Sequence, residues 1–459
     1  MRRYFLLLIL LCFNAFCYGQ AQRNYAQELY NLLLTGRNFE AREFKLQHKA
    51  QLPPDLDLVY NMHMSLAFNK PDSTIIYFEE FLGDPYRVRT IGPVVGQYYV
   101  RLCETYEGKQ QFEKAISAVE KHINYLKINP YSLAPEAIKN ETIDAQNKIL
   151  LLKEKLKNEP IRRIIRSGKD IKIKLKDDTY IRFDAQYNGH TVETFFDTGV
   201  TEFCIMEKDL ADEISVKYKS KQDSIRLING KPIKAIEGYI DSIELDGLKF
   251  YNIPVVVLLD KFTSHLPGNM NSDFKQKLEN KLLKSKQIIL GLPTIKMLGR
   301  FEIDWKINTI VIPQKKVQKP IERSSNSNLM FIKNALYLNM KINETPFTGF
   351  LDLGADHYLF LTYPYFFKSN CEYVKYDTAK QPYTRTGFVD SQENMERYRV
   401  ENPQIYMEGR KIDTARPQRE VYTVANINNF DGEVGVGFFK NTFSKTVIDF
   451  NNMIVECEE

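Results

Sequence analysis

Two aspartates stand at the ends of apolar runs, and each is followed two residues later by glycine. The first is Asp197 in FFDTG (195–199), and the second is Asp352 in FLDLG (350–354), 155 residues further along the chain. A carboxylate behind bulky apolar side chains is costly to bury unless it is hydrogen-bonded or shares a proton. We therefore expect Asp197 and Asp352 to form one pair.

Paired carboxylates suit hydrolysis, because a water must lose a proton to a base while the carbonyl that it attacks gains one from an acid. Two like charges in contact cannot both stay ionised, so one pKa rises and the pair retains a single proton. Glycine beside each turn allows a close backbone approach, since it has no Cβ. The pattern predicts activation of a water for attack on a carbonyl.

The chain that carries both aspartates has an apolar period of two. The segments IKIKL (171–175) and YIRFDAQY (180–187) alternate, and Asn188-Gly189 follows as a hairpin turn signal. A polar stretch rich in Lys, Ser and Asn at 314–328 predicts a linker. We therefore predict two β domains, at 165–313 and 329–459.

The two β domains share four landmarks in the same order. Each has a turn nine residues before its aspartate, an aromatic six residues after it, a later apolar segment with glycine, and a closing Ile-Asp-aromatic strand. These landmarks are Asn188-Gly189 and Asn343-Glu344, Phe203 and Tyr358, Gly291 and Gly437, and IDW (303–305) and IDF (448–450). Gly291 and Gly437 follow their aspartates by 94 and 85 residues. The order indicates an internal duplication.

This duplicated frame resembles the aspartic proteases, pepsin-like and retropepsin-like, of a bacterial secreted type. In that family each of two lobes provides an Asp-[Thr/Ser]-Gly loop and an apolar-apolar-Gly segment behind it. The resemblance covers about residues 170–459 and implies an all-β two-lobed acid-protease fold, with Asp197 and Asp352 as the catalytic dyad and no cofactor or metal. It also implies the supporting residues Thr198, Gly199, Thr201, Leu353, Gly354, Gly291 and Gly437. Thr201 takes the place of the family's hydroxyl that hydrogen-bonds the catalytic carboxylate.

The second motif departs from the family pattern. Leu353 replaces a Thr or Ser whose hydroxyl bonds the opposite loop, a loss of about 1 kcal/mol. Asp356 occupies the second hydroxyl position and, if close to the pair, would raise the pKa of the shared proton further. The flap hairpins that close over substrate in this family are expected at 224–245 and 383–406.

Residues 24–158 have a helical apolar period and no alternating run of comparable length. The segment 99–106 followed by 112–116 resembles a tetratricopeptide (TPR) helix hairpin, with a degenerate neighbour at 58–82; a generic helical bundle is the alternative. A concave surface on such a repeat would dock a protein partner. Glu159-Pro160 predicts the boundary, because proline disfavours helix in the residue before it.

Residues 1–19 have a basic start, a short apolar core and Gly19, a pattern typical of a secretory signal peptide. We therefore expect a secreted or periplasmic protein. Lipoprotein anchoring at Cys17 is the less favoured alternative, since Phe16 is a poor substitute for the small residue that precedes a lipidated cysteine.

The composition narrows the classes of partner and site. A net charge of +5 over 459 residues, with no dense basic tract, argues against nucleic acid. The cysteines are too far apart for a CxxC metal or redox site. Cys371 and Cys457 are candidates for a disulfide, and simple burial is the alternative.

We expect an aspartic endopeptidase that acts as a monomer on a peptide or protein substrate. A catalytically weakened peptide-binding or scaffold protein is the first alternative, and Leu353 supports it. A second alternative is a retropepsin-type half-site in which only Asp197 matters and a dimer supplies its partner.

Overall fold

The structure is a computed structural model that describes residues 24–129, 133–176, 179–226, 232–261, 272, 276, 287–313, 327–375, 398–413, 421–424 and 430–458. The chain divides into two compact units, Met1–Pro160 and Ile161–Glu459. The division lies next to Glu159-Pro160. The predicted signal peptide at 1–19 lies outside the described residues. Among the residues described, no helix has the length and apolar character that crossing a membrane requires.

The first unit is helical throughout its described part. Its helices are residues 24–34 (α1), Asn38–His48 (α2), Leu56–Ala67 (α3), Pro71–Leu82 (α4), Pro85–Ile91 (α5), Val95–Gly108 (α6), Phe112–Ile128 (α7) and Pro135–Asn158 (α8). Proline opens α4, α5 and α8, where a missing N–H costs nothing. Helices α6 and α7 pack together, and Ala115 is fully buried.

The second unit is mostly β, and its first half forms an eight-stranded sheet. The elements of this half are β1 Arg163–Ile165, β2 Ile171–Lys174, β3 Arg182–Tyr187, β4 His190–Asp197, β5 Cys204–Glu207, α9 Lys208–Glu213, β6 Lys217–Arg226, β7 Pro232–Leu245, β8 Leu248–Leu258, β9 Gln287–Gly291, α10 Leu292–Met297, β10 Arg300–Asp304 and β11 Thr309–Ile312. The strand order in the sheet is β1-β8-β5-β9-β4-β3-β7-β6.

The second half forms a ten-stranded sheet. Its elements are β12 Leu329–Ile332, β13 Ala335–Ile342, β14 Thr345–Asp352, β15 Leu359–Thr362, α11 Tyr363–Lys368, β16 Tyr373–Lys375, β17 Tyr398–Val400, β18 Ile405–Met407, β19 Arg410–Ile412, β20 Val421–Val424, β21 Gly432–Gly435, α12 Val436–Thr442, β22 Lys445–Asp449 and β23 Ile454–Glu458. The order is β16-β17-β20-β15-β21-β14-β13-β18-β19, with β12 beside β13.

A five-stranded sheet, in the order β2-β11-β10-β22-β23, joins the two halves. The closing strands of the predicted repeat meet here, because β10 and β22 pair antiparallel. Phe301 on β10 is fully buried and lies edge-on to Phe196, with ring centroids 5.3 Å apart. The apolar core beneath this sheet therefore includes Phe196, the residue before Asp197.

Two predicted boundaries shift by a few residues. The first β domain begins at Ile161, not 165, because β1 pairs with β8. The linker ends before Asn328, whose buried side chain accepts from the Val455 amide at 2.7 Å and donates to the Val455 carbonyl at 2.8 Å. Residues 314–326 lie outside the described part.

The four cysteines within the described residues are buried and not in disulfides. Cys371 lies 3.1 Å from the Ser369 hydroxyl, and Cys457 lies 3.9 Å from the Thr446 hydroxyl. The disulfide considered for Cys371 and Cys457 is therefore not formed.

Candidate active site

Two matching hairpin turns deliver the aspartates. Asn188 and Gly189 have φ of 50° and 85°, and Asn343 and Glu344 have φ of 47° and 62°. Two successive left-handed residues match the twist of a two-residue hairpin. From these turns β4 and β14 run to their last residues, Asp197 and Asp352.

The two carboxylates lie in hydrogen-bonding contact with each other. The Gly199 amide donates to Asp197 Oδ1 at 2.7 Å, and the Gly354 amide donates to Asp352 Oδ1 at 2.9 Å. A Cβ on Gly354 would lie 2.3 Å from Asp197 Cγ, and a Cβ on Gly199 would lie 2.9 Å from Asp352 Cγ. Each loop therefore needs glycine because the opposite carboxylate fills the space where a side chain would start.

Burial raises the pKa of Asp197 well above its usual range, and the neighbouring Asp352 raises it further. The Gly199 and Val200 amides act in the opposite direction, since they donate to the charged form. A direct hydrogen bond between two carboxyl groups requires one of them to be protonated. Burial and the adjacent Asp352 therefore both favour the neutral form of Asp197.

A single hydroxyl joins the two loops behind the carboxylates. Thr198 Oγ1 donates to the Leu351 carbonyl at 2.8 Å and accepts from the Leu353 amide at 2.8 Å. Thr198 and Leu353 are both buried. Leu353 therefore contributes its backbone N–H to the link, and its side chain packs as an apolar group.

The segments behind the loops are in matching parallel register. Asp197 pairs with Gly291 in β9, and Asp352 pairs with Gly435 in β21. Both glycines have φ of −89°, with ψ of 172° and 173°. The counterpart of Gly291 is therefore Gly435, and the prediction of Gly437 was wrong by two residues.

Close contact explains why glycine stands at these positions. A Cβ would lie 2.0 Å from the Glu202 carbonyl oxygen at Gly291 and 2.2 Å from the His357 carbonyl oxygen at Gly435. Gly437 lies in the first turn of α12, where a Cβ would come within 2.5 Å of the Asp356 carbonyl oxygen. Gly437 therefore also packs against the second aspartate loop, two residues after Gly435.

Comparison with known proteins gives one family match. Residues 183–293 match the family model described as aspartyl protease. The chain carries an aspartic protease-like domain. The match spans Asp197 and Gly291.

One solved structure similar to the chain is a retropepsin-like aspartic protease from Rickettsia conorii. It shares 18% identity, over 33% of this chain and 92% of that chain, with a TM-score of 0.21. No curated protein matches the chain.

The hydrogen bond expected from Thr201 to the catalytic carboxylate is not formed. Thr201 is exposed, and its hydroxyl donates to the Glu202 carboxylate at 3.1 Å instead of to Asp197. The Asp356 carboxylate accepts from the Tyr180 hydroxyl at 3.1 Å. No motif singled out Tyr180, since a tyrosine in an alternating segment is ordinary.

His357 supports the second loop from behind. Its ring stacks on Phe360 with centroids 4.1 Å apart, and Nε2 lies 3.5 Å from Glu433 Oε1. This placement gives it a packing role and keeps it out of the carboxylate pair.

The first predicted flap corresponds to the hairpin of β6 and β7, which pair antiparallel on either side of residues 227–231. Those turn residues lie outside the described part of the chain. Of the second predicted flap, at 383–406, only residues 398–406 are described, and these include β17.

Proposed function

We propose that the protein is an aspartic endopeptidase that hydrolyses peptide bonds with the Asp197/Asp352 pair. The observation that carries the proposal is the hydrogen-bonded contact between the two carboxylates, each opposite a glycine of the other loop. The ionised carboxylate accepts a proton from a water as that water attacks the scissile carbonyl. The protonated carboxyl donates its proton to the carbonyl oxygen, which gives a gem-diol. The C–N bond then breaks as the nitrogen takes the proton that came from the water, and a diol hydroxyl returns one proton to the other carboxylate.

The two halves of the β unit act in this proposal as the lobes of a pepsin-like protease, with the substrate lying across the pair. Matching hairpin turns, glycines and parallel registers support it. Both carboxylates come from one chain, so the active form is a monomer and does not need the half-site arrangement.

The helical unit takes the role of a TPR-like docking surface for a protein partner or substrate. The α3–α4 and α6–α7 pairs support this role, because each is a packed two-helix unit. We further propose that the protein acts outside the cytoplasm, as residues 1–19 indicate.

The test is cleavage of a peptide library by the protein lacking residues 1–21. We expect Asp197→Asn and Asp352→Asn each to lower cleavage by a factor of about 10³ or more, since either change removes the base or the acid. Asp209→Asn, at an exposed position on α9, is the matched control and should cleave like the wild type. Retained activity in Asp352→Asn would contradict the two-carboxylate mechanism.

A second candidate function is a peptide-binding or scaffold module. The buried Leu353 favours this function, because its side chain lacks the hydroxyl that the Thr or Ser of the family's motif would provide. This module would bind peptides without cutting them. Binding by the wild type with no cleavage from about pH 3 to about pH 8, which covers the range of shared-proton pKa values, would support it over the protease.

A further inference from the structure

We propose that Tyr180 and Asp356 form a positioning pair that holds the second aspartate loop against the first. The Tyr180 hydroxyl donates to Asp356 Oδ2 at 3.1 Å. Tyr180 precedes β3 in the first half, and Asp356 follows Asp352 by four residues in the second half. The hydrogen bond therefore crosses between the halves at the second aspartate loop. The inference rests on the proposed function, because it concerns the same two carboxylates.

The Tyr180 ring is held in place by its own half. It is buried and lies edge-on to Phe195, with centroids 5.6 Å apart. The Arg182 guanidinium lies 5.3 Å from the ring centroid, at a distance where a cation is attracted to an aromatic face. Phe195 is two residues before Asp197 on β4, so the ring that carries the hydroxyl is packed on the strand that carries the first catalytic aspartate.

The loop that carries Asp356 is supported from behind by the second half. The Val436 amide donates to the Ala355 carbonyl at 2.8 Å, and the Asp356 backbone lies close against Gly437 at the start of α12. These contacts fix the loop relative to its own sheet. The hydrogen bond from Tyr180 fixes the same loop relative to the opposite half.

The link has no mirror image in the duplicated frame. The position that matches Tyr180, seventeen residues before Asp352, is Ala335, and the position that matches Asp356 is Thr201. Alanine has no hydroxyl to donate. The hydroxyl bridge of Thr198 is likewise one-sided, because Leu353 stands at its counterpart. Among the hydrogen bonds of the described residues, those of the Tyr180 and Thr198 hydroxyls thus both link the first half to the second aspartate motif.

This asymmetry makes the position of Asp352 depend on two hydroxyls of the first half. Misplacement of a catalytic group by about 1 Å can lower a rate by a factor of about 10². Loss of the Tyr180 hydroxyl leaves Thr198 in place, so we expect a smaller loss, roughly 10-fold in kcat. KM should stay within about twofold, because the pair acts on the geometry of the carboxylates after substrate is bound.

Steady-state cleavage by the full chain tests the proposal. Tyr180→Phe removes the donor and keeps the ring, and Asp356→Ala removes the acceptor; each should lower kcat about 10-fold. Asp356→Asn keeps an oxygen acceptor and should recover most of kcat. The double variant Tyr180→Phe/Asp356→Ala should be no slower than either single variant, since both remove the same bond.

The matched control is Tyr365→Phe, which removes another buried tyrosine hydroxyl. That hydroxyl donates to the Thr345 carbonyl at 2.8 Å, at the end of β14 remote from Asp352. We expect wild-type kcat from it. Wild-type kcat in Tyr180→Phe, or additive losses in the double variant, would overturn the positioning role while leaving the protease activity intact.

A substrate-free measurement separates this inference from the proposed function. An NMR titration of the protein with ¹³C-labelled aspartate reports the raised pKa of Asp197 directly. The Asp197→Asn and Asp352→Asn variants assign the two carboxyl signals. Loosening of the pair in Tyr180→Phe should lower that pKa toward its usual range. If the wild type cleaves nothing, the proposed function fails, and this titration still decides the positioning role: an unchanged pKa overturns it.

Discussion

At the scale of the residue, the proposed hydrolysis depends on the close approach of the two aspartate loops. Gly199 and Gly354 leave room for the opposite carboxylate, and Thr198 satisfies the Leu351 carbonyl and the Leu353 amide with one hydroxyl. The contact between Asp197 and Asp352 is unfavourable when both are ionised. Ionisation of both carboxylates therefore lowers the stability of the folded protein.

This cost predicts that Asp197→Asn stabilises the protein at neutral pH. The folded pKa of Asp197 is raised, so the folded state retains a proton that the unfolded chain loses above about pH 3.9. Stability then falls as pH rises from that value through the raised pKa, and the cost is fully present above it. Asparagine has no proton to lose and avoids this cost.

Urea unfolding of the wild type and Asp197→Asn measures the effect. We expect similar unfolding free energies near pH 3 and a more stable variant near pH 7.5, because ionising Asp197 costs more in the folded state than in the unfolded chain. Asp209→Asn should show no such pH-dependent gain. An Asp197→Asn variant that is less stable than the wild type near pH 7.5 would contradict the raised pKa.

At the scale of the element, a strand, a turn and a parallel neighbouring strand occur around each of the two aspartates. The register of β4 with β9, and of β14 with β21, places one glycine behind each aspartate. The amide of the next residue then bonds to the loop, from Leu292 to the Val200 carbonyl at 2.9 Å and from Val436 to the Ala355 carbonyl at 2.8 Å. Each loop is therefore fixed by the start of a short helix.

Gly435→Ala is expected to destabilise the protein by about 3 kcal/mol or more, because backbone atoms cannot easily move away from the new methyl group. That methyl would lie 2.2 Å from the His357 carbonyl oxygen. Gly108→Ala is the control, since a Cβ there meets nothing within 4 Å and alanine favours helix α6. Urea unfolding compares the two variants. A Gly435→Ala protein as stable as the wild type would refute the assigned register.

At the scale of the whole molecule, the chain consists of a helical unit and a β unit with separate cores. The β unit includes the short strand β1, whose three residues pair with Lys249, Phe250 and Tyr251 of β8. The Asn252 side chain also donates to the Ile161 carbonyl at 2.8 Å. The β unit therefore begins at Ile161, at the edge of its first sheet.

A fragment of residues 161–459 is expected to unfold in one cooperative transition and to cleave short peptides at the rate of the full chain. A fragment that starts at Arg166 lacks β1 and should be less stable by about 1–3 kcal/mol, because its loss exposes backbone groups of β8. Thermal unfolding and a peptide assay measure both fragments. Equal stability would show that β1 adds nothing to the β unit.

The sequence by itself determined the features that depend on neighbours in the chain. Asn188-Gly189 encodes its turn locally, the alternating run before Asp197 encodes a strand, and the repeated nine-residue spacing to Asp352 identifies the second loop. These follow from backbone preferences and side-chain periodicity within about ten residues.

Only the tertiary structure decided the contacts that join distant segments. It selected Gly435 over Gly437, directed the Thr201 hydroxyl to Glu202, and brought Tyr180 to Asp356. Two glycines two residues apart are equivalent in local preference, and only the register of a strand that pairs across more than eighty residues distinguishes them. A hydrogen bond between halves likewise has no local signal, because packing of the two sheets sets the distance between its atoms.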